Sequence, residues 1–125
     1  MNILLVEDDD ATIESLQLCF SVFFPAASIF PARMGQEALE ILAGTEIDIM
    51  LVDLGLPDMD GMDLVRKVRQ RWSTPIVVVS ARHSEDNIAE SRGAGADDYI
   101  LKPFDYKHLI RRIRELTGQD AADGA

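Results

Sequence analysis

The chain has 125 residues, enough for one domain with a hydrophobic core and too few for two. Apolar residues make up 47% of it, which excludes a chain that is disordered throughout. The formal net charge of −10 argues against direct nucleic-acid binding by this domain, because an acidic surface repels phosphate backbones. A single cysteine, Cys19, excludes an intramolecular disulfide and a multi-cysteine metal cluster. No apolar run is long enough to cross a bilayer and no basic leader begins the chain, so the cytoplasm is the expected compartment.

The first predicted strand, residues 3–6, is a short apolar run that ends at four successive acids. Asp9 or Asp10 can cap the helix that follows, because aspartate at a helix N-terminus accepts hydrogen bonds from free amides. Capping does not explain why the acids begin directly at the strand end. Glu7 and Asp8 are therefore candidates for a functional site.

Helical spacing follows over residues 11–24. The stripe predicted to face the core consists of Ile13, Leu16, Phe20 and Phe23. A neighbouring, less apolar stripe is either the edge of the core or a face for a partner, and it consists of Thr12, Ser15, Cys19 and Val22. The structural interpretation of its cysteine is that of a small apolar residue that fills space in the core.

The central predicted strand, residues 49–53, follows a weak strand at 28–30 and a helix at 35–43. Its continuous apolar run is typical of a strand buried on both faces of a parallel sheet. The run stops at Asp53, whose carboxylate is costly to bury unless a charged group meets it. Residues 54–61 then combine glycine, proline and acids, which predicts an exposed loop.

The second half of the chain continues the alternation of strands and helices. The predicted elements are a helix at 62–71, a strand at 75–80 ending in Ser80, a helix at 84–92, a strand at 98–101 followed by Lys102, and a helix at 106–116. Five strand–helix repeats predict an α/β fold in which helices cover both faces of a parallel sheet. One domain is expected over residues 1–117, with residues 118–125 as a flexible tail or the start of a linker.

The fourth helix has a thin apolar face in this interpretation. Its inward residues are predicted to be Ile88 and Ala89, with Arg92 at a position where an apolar residue is expected. We therefore expect this helix to be the least firmly packed of the five.

The residues that end the apolar strands share one chemistry. They are Glu7, Asp8, Asp53, Ser80 and Lys102. In an open α/β sheet the ligand site lies outside the carboxyl ends of the strands, so these residues are expected to meet at one edge. Three adjacent carboxylates repel one another, and a single ammonium does not balance them. Oxygen donors without histidine or cysteine favour Mg²⁺ over Zn²⁺.

A magnesium ion, an ammonium and a hydroxyl are groups that stabilise the oxygens of a transferring phosphoryl group. The chain has neither a Gly-x-x-x-x-Gly-Lys-Ser/Thr loop nor a glycine-rich dinucleotide turn after the first strand. The remaining option is a small phosphoryl group carried by one carboxylate. Asp53, at the end of the central strand, is predicted to be the nucleophile that forms an acyl phosphate.

Four segments, taken together and in this order, resemble the receiver domain of two-component response regulators. They are residues 3–9, 51–61, 75–81 and 95–104, and the resemblance extends from residue 2 to about residue 117. It implies a flavodoxin-like (βα)5 domain whose five parallel strands lie in the order 2-1-3-4-5. It also implies a protein that is not a conventional enzyme but catalyses its own phosphorylation and dephosphorylation.

The resemblance assigns a role to each candidate residue. Asp53 would accept the phosphoryl group from a phosphohistidine on a sensor histidine kinase or phosphotransfer protein. Glu7, Asp8 and the Gly55 carbonyl would complete the Mg²⁺ site with Asp53. Ser80 and Lys102 would bind phosphoryl oxygens, the Lys102–Pro103 peptide bond would be cis, and Tyr99 would swing inward as Ser80 moves. The interpretation of Tyr99 as a half-buried strand aromatic stays open.

Output would come from the face formed by the fourth helix, last strand and last helix. Charged residues there could pair across a two-fold axis in a homodimer or be separately solvated; they are Asp97, Asp98, Arg111, Arg112 and Arg114. The effector domain or target is not assigned by the sequence. Two positions depart from the family's common pattern near the site: Gly55 replaces a bulkier residue and Ser80 replaces the commoner threonine.

Three alternatives are less well supported by the residues present. An aspartyl phosphohydrolase needs a second acid soon after Asp53, but Leu54 and Gly55 follow it. A flavodoxin-like cofactor binder needs a Ser/Thr-rich loop after the first strand, where this chain has acids. A degenerate receiver that acts only as an interaction module would lack one of the five site residues, but all five are present in this sequence.

Overall fold

Strands and helices alternate along the part of the chain that the structure, a computed structural model, describes: residues 1–82 and 84–119. The strands are β1 (Asn2–Val6), β2 (Ser28–Ala32), β3 (Ile49–Val52), β4 (Ile76–Ser80) and β5 (Asp98–Leu101). The helices are α1 (Asp10–Phe23), α2 (Gly35–Gly44), α3 (Gly61–Arg71), α4 (Glu85–Ala94) and α5 (Tyr106–Thr117). Among these described residues no helix has both the length and the apolar character that crossing a bilayer requires.

All strand pairs are parallel, and the sheet order is β2-β1-β3-β4-β5. This confirms the predicted α/β class and the predicted strand order 2-1-3-4-5. The edge strand β2 runs through Pro31 to Ala32, two residues beyond the weak strand predicted at 28–30. Proline is tolerated there because an edge strand has one side without a ladder partner.

Each central strand is buried on both faces, so the sheet separates two cores. Alternate residues such as Leu4, Met50 and Val78 pack with α2 and α3 on one face. Their neighbours Ile3 and Leu51 pack with α1 and α5 on the other face. The alternation follows from the two-residue period of a strand and explains why the strand sequences are apolar throughout.

The predicted inward stripe of α1 is confirmed for three residues and wrong for the fourth. Ile13, Leu16 and Phe20 are buried, as is Cys19, which acts as a small apolar filler. Phe23 is 36% exposed, whereas Phe24 is buried. The helix ends at Phe23, and the backbone leaves helical geometry at Phe24, which turns the second phenylalanine toward the core.

The predicted inward face of α4 is wrong for Ala89, whereas Ile88 is half-buried. The helix continues to Ala94, and its buried residues are Ser91 and Ala94, while Ala89 and Arg92 are exposed. Burial of a serine is tolerated because its hydroxyl donates a hydrogen bond to the Ile88 carbonyl (2.7 Å). Arg92 therefore does not replace an apolar core residue.

The last predicted segment, the tail or linker start at residues 118–125, falls largely outside the described residues. Gly118 and Gln119 are described, and Gly118 ends α5 in the left-handed conformation (φ 74°) that favours glycine.

Candidate functional site

The carboxyl ends of β1 and β3 bring three acids together. Val6 and Val52 are register partners, and the Asp53 amide donates a hydrogen bond to the Val6 carbonyl (2.9 Å). One carboxylate oxygen each from Glu7, Asp8 and Asp53 lies within 4.8 Å of the others. The acids that the sequence places at separate strand ends therefore form one cluster.

Lys102 reaches this cluster from the end of β5. The Lys102 amide donates to the Ser80 carbonyl (2.9 Å), which fixes the start of the β5–α5 loop against the end of β4. The Lys102 ammonium Nζ lies 2.5 Å from Glu7 Oε1 and 3.7 Å from Asp53 Oδ2. The Lys102–Pro103 peptide bond is cis, as predicted.

Burial and like charge make this cluster electrostatically unbalanced. Burial raises the pKa of the Glu7 carboxyl; the Lys102 hydrogen bond lowers it, the Asp53 charge raises it further, and the net pKa lies above its usual value. The Glu7 side chain is 3% exposed and that of Asp53 17%. Among the described residues, Lys102 supplies the one ammonium that lies against this cluster of three carboxylates. A divalent cation would balance the charge, and this all-oxygen donor set fits Mg²⁺.

The loop after Asp53 leaves the site open on one side and folds tightly on the other. A β-carbon built on Gly55 would lie 3.9 Å from Asp53 Oδ2, so the glycine leaves room beside the carboxylate. A β-carbon on Gly61 would lie 2.5 Å from the Asp53 carbonyl oxygen. Only a glycine lets the start of α3 approach the backbone at the end of β3 this closely.

Two acids of the same loop stabilise helix N-termini. Asp60 is the N-cap of α3, since its Oδ1 accepts the Met62 amide (2.9 Å). Burial raises the pKa of the Asp60 carboxyl, but the Met62 hydrogen bond and the Arg82 guanidinium outweigh burial and hold the pKa below its usual value. Asp58 caps α2 from a distance by accepting the Gly35 amide (2.8 Å) and the Gln36 amide (3.0 Å).

Ser80 and Tyr99, the predicted switch residues, are linked through Arg82. Ser80 closes β4 and is 2% exposed, and its Oγ accepts the Arg82 amide (3.1 Å). The half-buried Tyr99 donates its hydroxyl proton to the Arg82 carbonyl. The Arg82 guanidinium in turn contacts Asp60 Oδ2 (3.1 Å). Sequence reasoning missed Arg82 and the distant cap by Asp58, because neither residue lies at a strand end or in a local capping pattern.

The two acids that could pair across a two-fold axis have ion-pair partners within one chain. Asp97 contacts Arg69 (3.1 Å), and Asp98 contacts Arg112 (2.5 Å). A homodimer that uses these carboxylates would have to share or break both ion pairs.

An apolar surface extends from the site along α1. Its exposed members are Leu18 (69% exposed), Val22 (66%), Phe23 and Tyr106, which we call the α1 apolar surface. Ser15 and Tyr106 line both this groove and an adjoining one that reaches Lys102. The less apolar stripe of α1 was predicted to be either the edge of the core or a face for a partner. Of its residues, Cys19 is buried in the core and Val22 is exposed.

Comparison with known proteins agrees with this geometry. The family model described as the response regulator receiver domain matches residues 3–114. The response regulator MprA of Mycobacterium leprae is 39% identical over 126 residues, covering 100% of this chain and 54% of that protein. The cell cycle transcriptional regulator CtrA of Caulobacter vibrioides is 34% identical over 118 residues, covering 94% and 50%. The chain thus spans about half the length of these relatives.

A solved structure leads to the same fold. The crystal structure of a putative response regulator from Chloroflexus aurantiacus superposes with a TM-score of 0.86 at 30% identity, and the match covers 94% of this chain and 97% of that one. Family match, relatives and fold agree over nearly the whole described chain. The chain belongs to the receiver domains of two-component response regulators.

Proposed function

We propose that this receiver domain accepts a phosphoryl group on Asp53 from a phosphohistidine of a sensor histidine kinase or phosphotransfer protein. The observation that carries the proposal is the cluster of Glu7, Asp8 and Asp53 with the Lys102 ammonium against it. An Asp53 carboxylate oxygen attacks the phosphorus, the phosphorus–nitrogen bond breaks, and the imidazole leaves with the bonding electron pair. Attack of water on the resulting acyl phosphate regenerates Asp53 and releases inorganic phosphate.

The acidic residues would hold the metal that this transfer requires. Carboxylates of Glu7, Asp8 and Asp53 and the carbonyl of Gly55 are the proposed Mg²⁺ site, with Glu7 contacting the ion through water. A bound Mg²⁺ would neutralise charge on the carboxylates and on the transferring phosphoryl oxygens.

Lys102 and Ser80 are proposed to bind the phosphoryl group. Lys102 Nζ lies within reach of both Glu7 and Asp53, so a small movement would bring it to a phosphoryl oxygen. The Ser80 hydroxyl accepts the Arg82 amide, which leaves its own proton for donation to another phosphoryl oxygen. These two donors would stabilise the charge that develops in the transition state.

Output is proposed to follow from movement of Ser80 toward the phosphoryl group. Tyr99 would turn inward with it and change the surface formed by α4, β5 and α5. That surface would then bind an effector domain, a target protein or a second copy of the chain. We place residues 1–117 in the receiver, residues 118–125 in a tail or linker, and the domain in the cytoplasm.

The α1 apolar surface is the proposed contact for the phosphodonor. It is continuous with the groove that reaches Lys102, so a helix of the donor lying on it would place its phosphohistidine next to Asp53. Exposed apolar side chains of this kind mark protein interaction sites.

The experiment is Mg²⁺-dependent phosphorylation by acetyl phosphate, followed by intact mass. The proposal expects one added phosphoryl group with Mg²⁺ and none after chelation by EDTA. Equal phosphorylation with and without the metal would refute the Mg²⁺ site.

A further inference from the structure

Arg82 contacts three groups at the edge of the site through three different parts of the residue. Its amide donates to Ser80 Oγ, its carbonyl accepts from the Tyr99 hydroxyl, and its guanidinium donates to Asp60 Oδ2. One residue therefore touches both members of the proposed switch and the loop that follows β3.

Asp60 is held in place because two hydrogen bonds fix its immediate surroundings. Its Oδ1 caps α3 through the Met62 amide (2.9 Å), and the Gly61 amide donates to the Leu54 carbonyl (2.8 Å). Leu54 follows Asp53 directly, so the Asp60 carboxylate is tied to the backbone that carries the phosphoacceptor. The Arg82–Asp60 ion pair therefore joins the segment after β4 to the backbone next to Asp53.

We propose that Arg82 is a positioning residue whose ion pair with Asp60 holds the segment after β4 in its resting place and breaks during the switch. If Ser80 moves toward a phosphoryl group on Asp53, the Arg82 amide follows through its hydrogen bond to Ser80 Oγ. The carbonyl that accepts the Tyr99 hydroxyl moves with it. The guanidinium opposes this displacement as long as Asp60 holds it.

Phosphorylation itself supplies a reason for the ion pair to break. A phosphoryl group on Asp53 adds negative charge to the same loop that carries Asp60, and phosphoryl oxygens compete well with a carboxylate for a guanidinium. The inference rests on the proposed function of Asp53, Ser80 and Tyr99 and adds the residue that resists their movement.

The expected effect is modest because the ion pair is partly exposed. The side chains of Arg82 and Asp60 are 42% and 43% exposed. Breaking a pair of this kind changes an equilibrium by about two- to fivefold. Arg82→Ala removes the guanidinium and keeps the backbone amide and carbonyl, so it frees the segment without cutting the link between Ser80 and Tyr99.

The experiment compares Arg82→Ala, Asp60→Asn and the double variant with the parent chain. Asparagine still caps a helix, so Asp60→Asn keeps α3 and removes the ion pair. The matched control is Arg71→Ala, which removes the same charge from a side chain stacked on Trp72 at the far end of α3. One readout is fluorine NMR of fluorotyrosine-labelled protein, whose two signals from Tyr99 and Tyr106 are assigned with Tyr106→Phe. The other is the beryllofluoride concentration that half-saturates the protein in Mg²⁺.

In the unphosphorylated protein, Arg82→Ala and Asp60→Asn should each shift the Tyr99 signal toward its position in the beryllofluoride complex. Each should lower the half-saturating beryllofluoride concentration by about two- to fivefold, with the double variant no further changed than either single. Arg71→Ala should change neither readout.

A Tyr99 signal in Arg82→Ala that matches the Arg71→Ala control, or additive effects in the double variant, would overturn the inference. Failure of the parent chain to bind beryllofluoride would instead count against the proposed function. Comparison of the Tyr99 signal of the unphosphorylated variants with that of the parent chain and of Arg71→Ala would then still show whether the ion pair holds Tyr99 in place, and no difference would overturn the inference.

Discussion

The Lys102 ammonium lies 2.5 Å from Glu7 and 3.7 Å from Asp53, so its closest carboxylate is that of the buried acid and not that of the proposed phosphoacceptor. Lys102 is therefore expected to have two roles, and removing its side chain can distinguish them. Lys102 would compete with a bound metal ion for Glu7 in the resting protein, and it is proposed to bind a phosphoryl oxygen during transfer.

Lys102→Met should therefore uncouple metal binding from phosphorylation. Mg²⁺ affinity should stay the same or rise, because a competing positive charge leaves the cluster. Phosphorylation by acetyl phosphate should slow by about 10²-fold, the usual effect of removing one transition-state donor. Calorimetric Mg²⁺ titration and phosphorylation rates measure the two effects, and a parallel loss of both would refute separate roles.

The α1 apolar surface should matter for one phosphodonor and not for another. Leu18→Ser should slow phosphotransfer from a phosphorylated histidine kinase that acts on the parent chain, because the variant loses apolar contact area. Phosphorylation by acetyl phosphate, which needs no docking surface, should be unchanged. Met34→Ser, at another exposed apolar side chain, is the matched control. Equal phosphotransfer to Leu18→Ser and Met34→Ser would place the donor elsewhere.

Asp58 should stabilise the fold in a pH-dependent way through its distant cap of α2. The Gln36 and Gly35 amides lower the pKa of the Asp58 carboxyl from its ordinary 3.8. A lowered folded-state pKa means that the stabilisation is fully present above the unfolded value and is lost as the pH falls through the folded value. Asp58→Asn should be less stable than the parent chain at neutral pH and approach it in acid.

Urea unfolding of the parent chain and of Asp58→Asn, from neutral pH to below 3.8, measures the difference in unfolding free energy between them. Glu40→Gln, at an exposed acid on α2 itself, is the control and should differ little from the parent chain in unfolding free energy. A stability difference for Asp58→Asn that stays constant from neutral pH to below 3.8 would contradict the charge-dependent cap.

Gly61, the first residue of α3, should not tolerate replacement by a residue with a β-carbon. A β-carbon there would lie 2.5 Å from the Asp53 carbonyl oxygen and 2.6 Å from Leu54 Cα, both backbone atoms. Gly61→Ala should cost about 1–3 kcal/mol of unfolding free energy and slow phosphorylation, because the backbone at Asp53 must shift. Gly93→Ala, in α4 with open space around it, should be neutral or stabilising. Denaturant unfolding of both variants checks this, and equal stability would contradict the close approach.

The fold and the acidic cluster were predictable because each depends on a local pattern. Short apolar runs ending in Glu7, Asp53 and Lys102 identify parallel strands, and parallel topology brings their carboxyl ends to one edge. The inward face of α4 was not predictable, because the Ser91 hydroxyl is satisfied by its own helix and can be buried. The contacts of Asp58 with α2 and of Arg82 with Asp60 join segments about 22 residues apart, and residue type at either end does not indicate the partner.

Phosphorylation of Asp53 is the central claim, and the mass of the protein after incubation with Mg²⁺ and acetyl phosphate tests it most directly. The parent chain and Asp63→Asn, which alters an exposed acid on α3, should each gain one phosphoryl group. Asp53→Asn should gain none. Equal phosphorylation of Asp53→Asn and the parent chain would contradict the account.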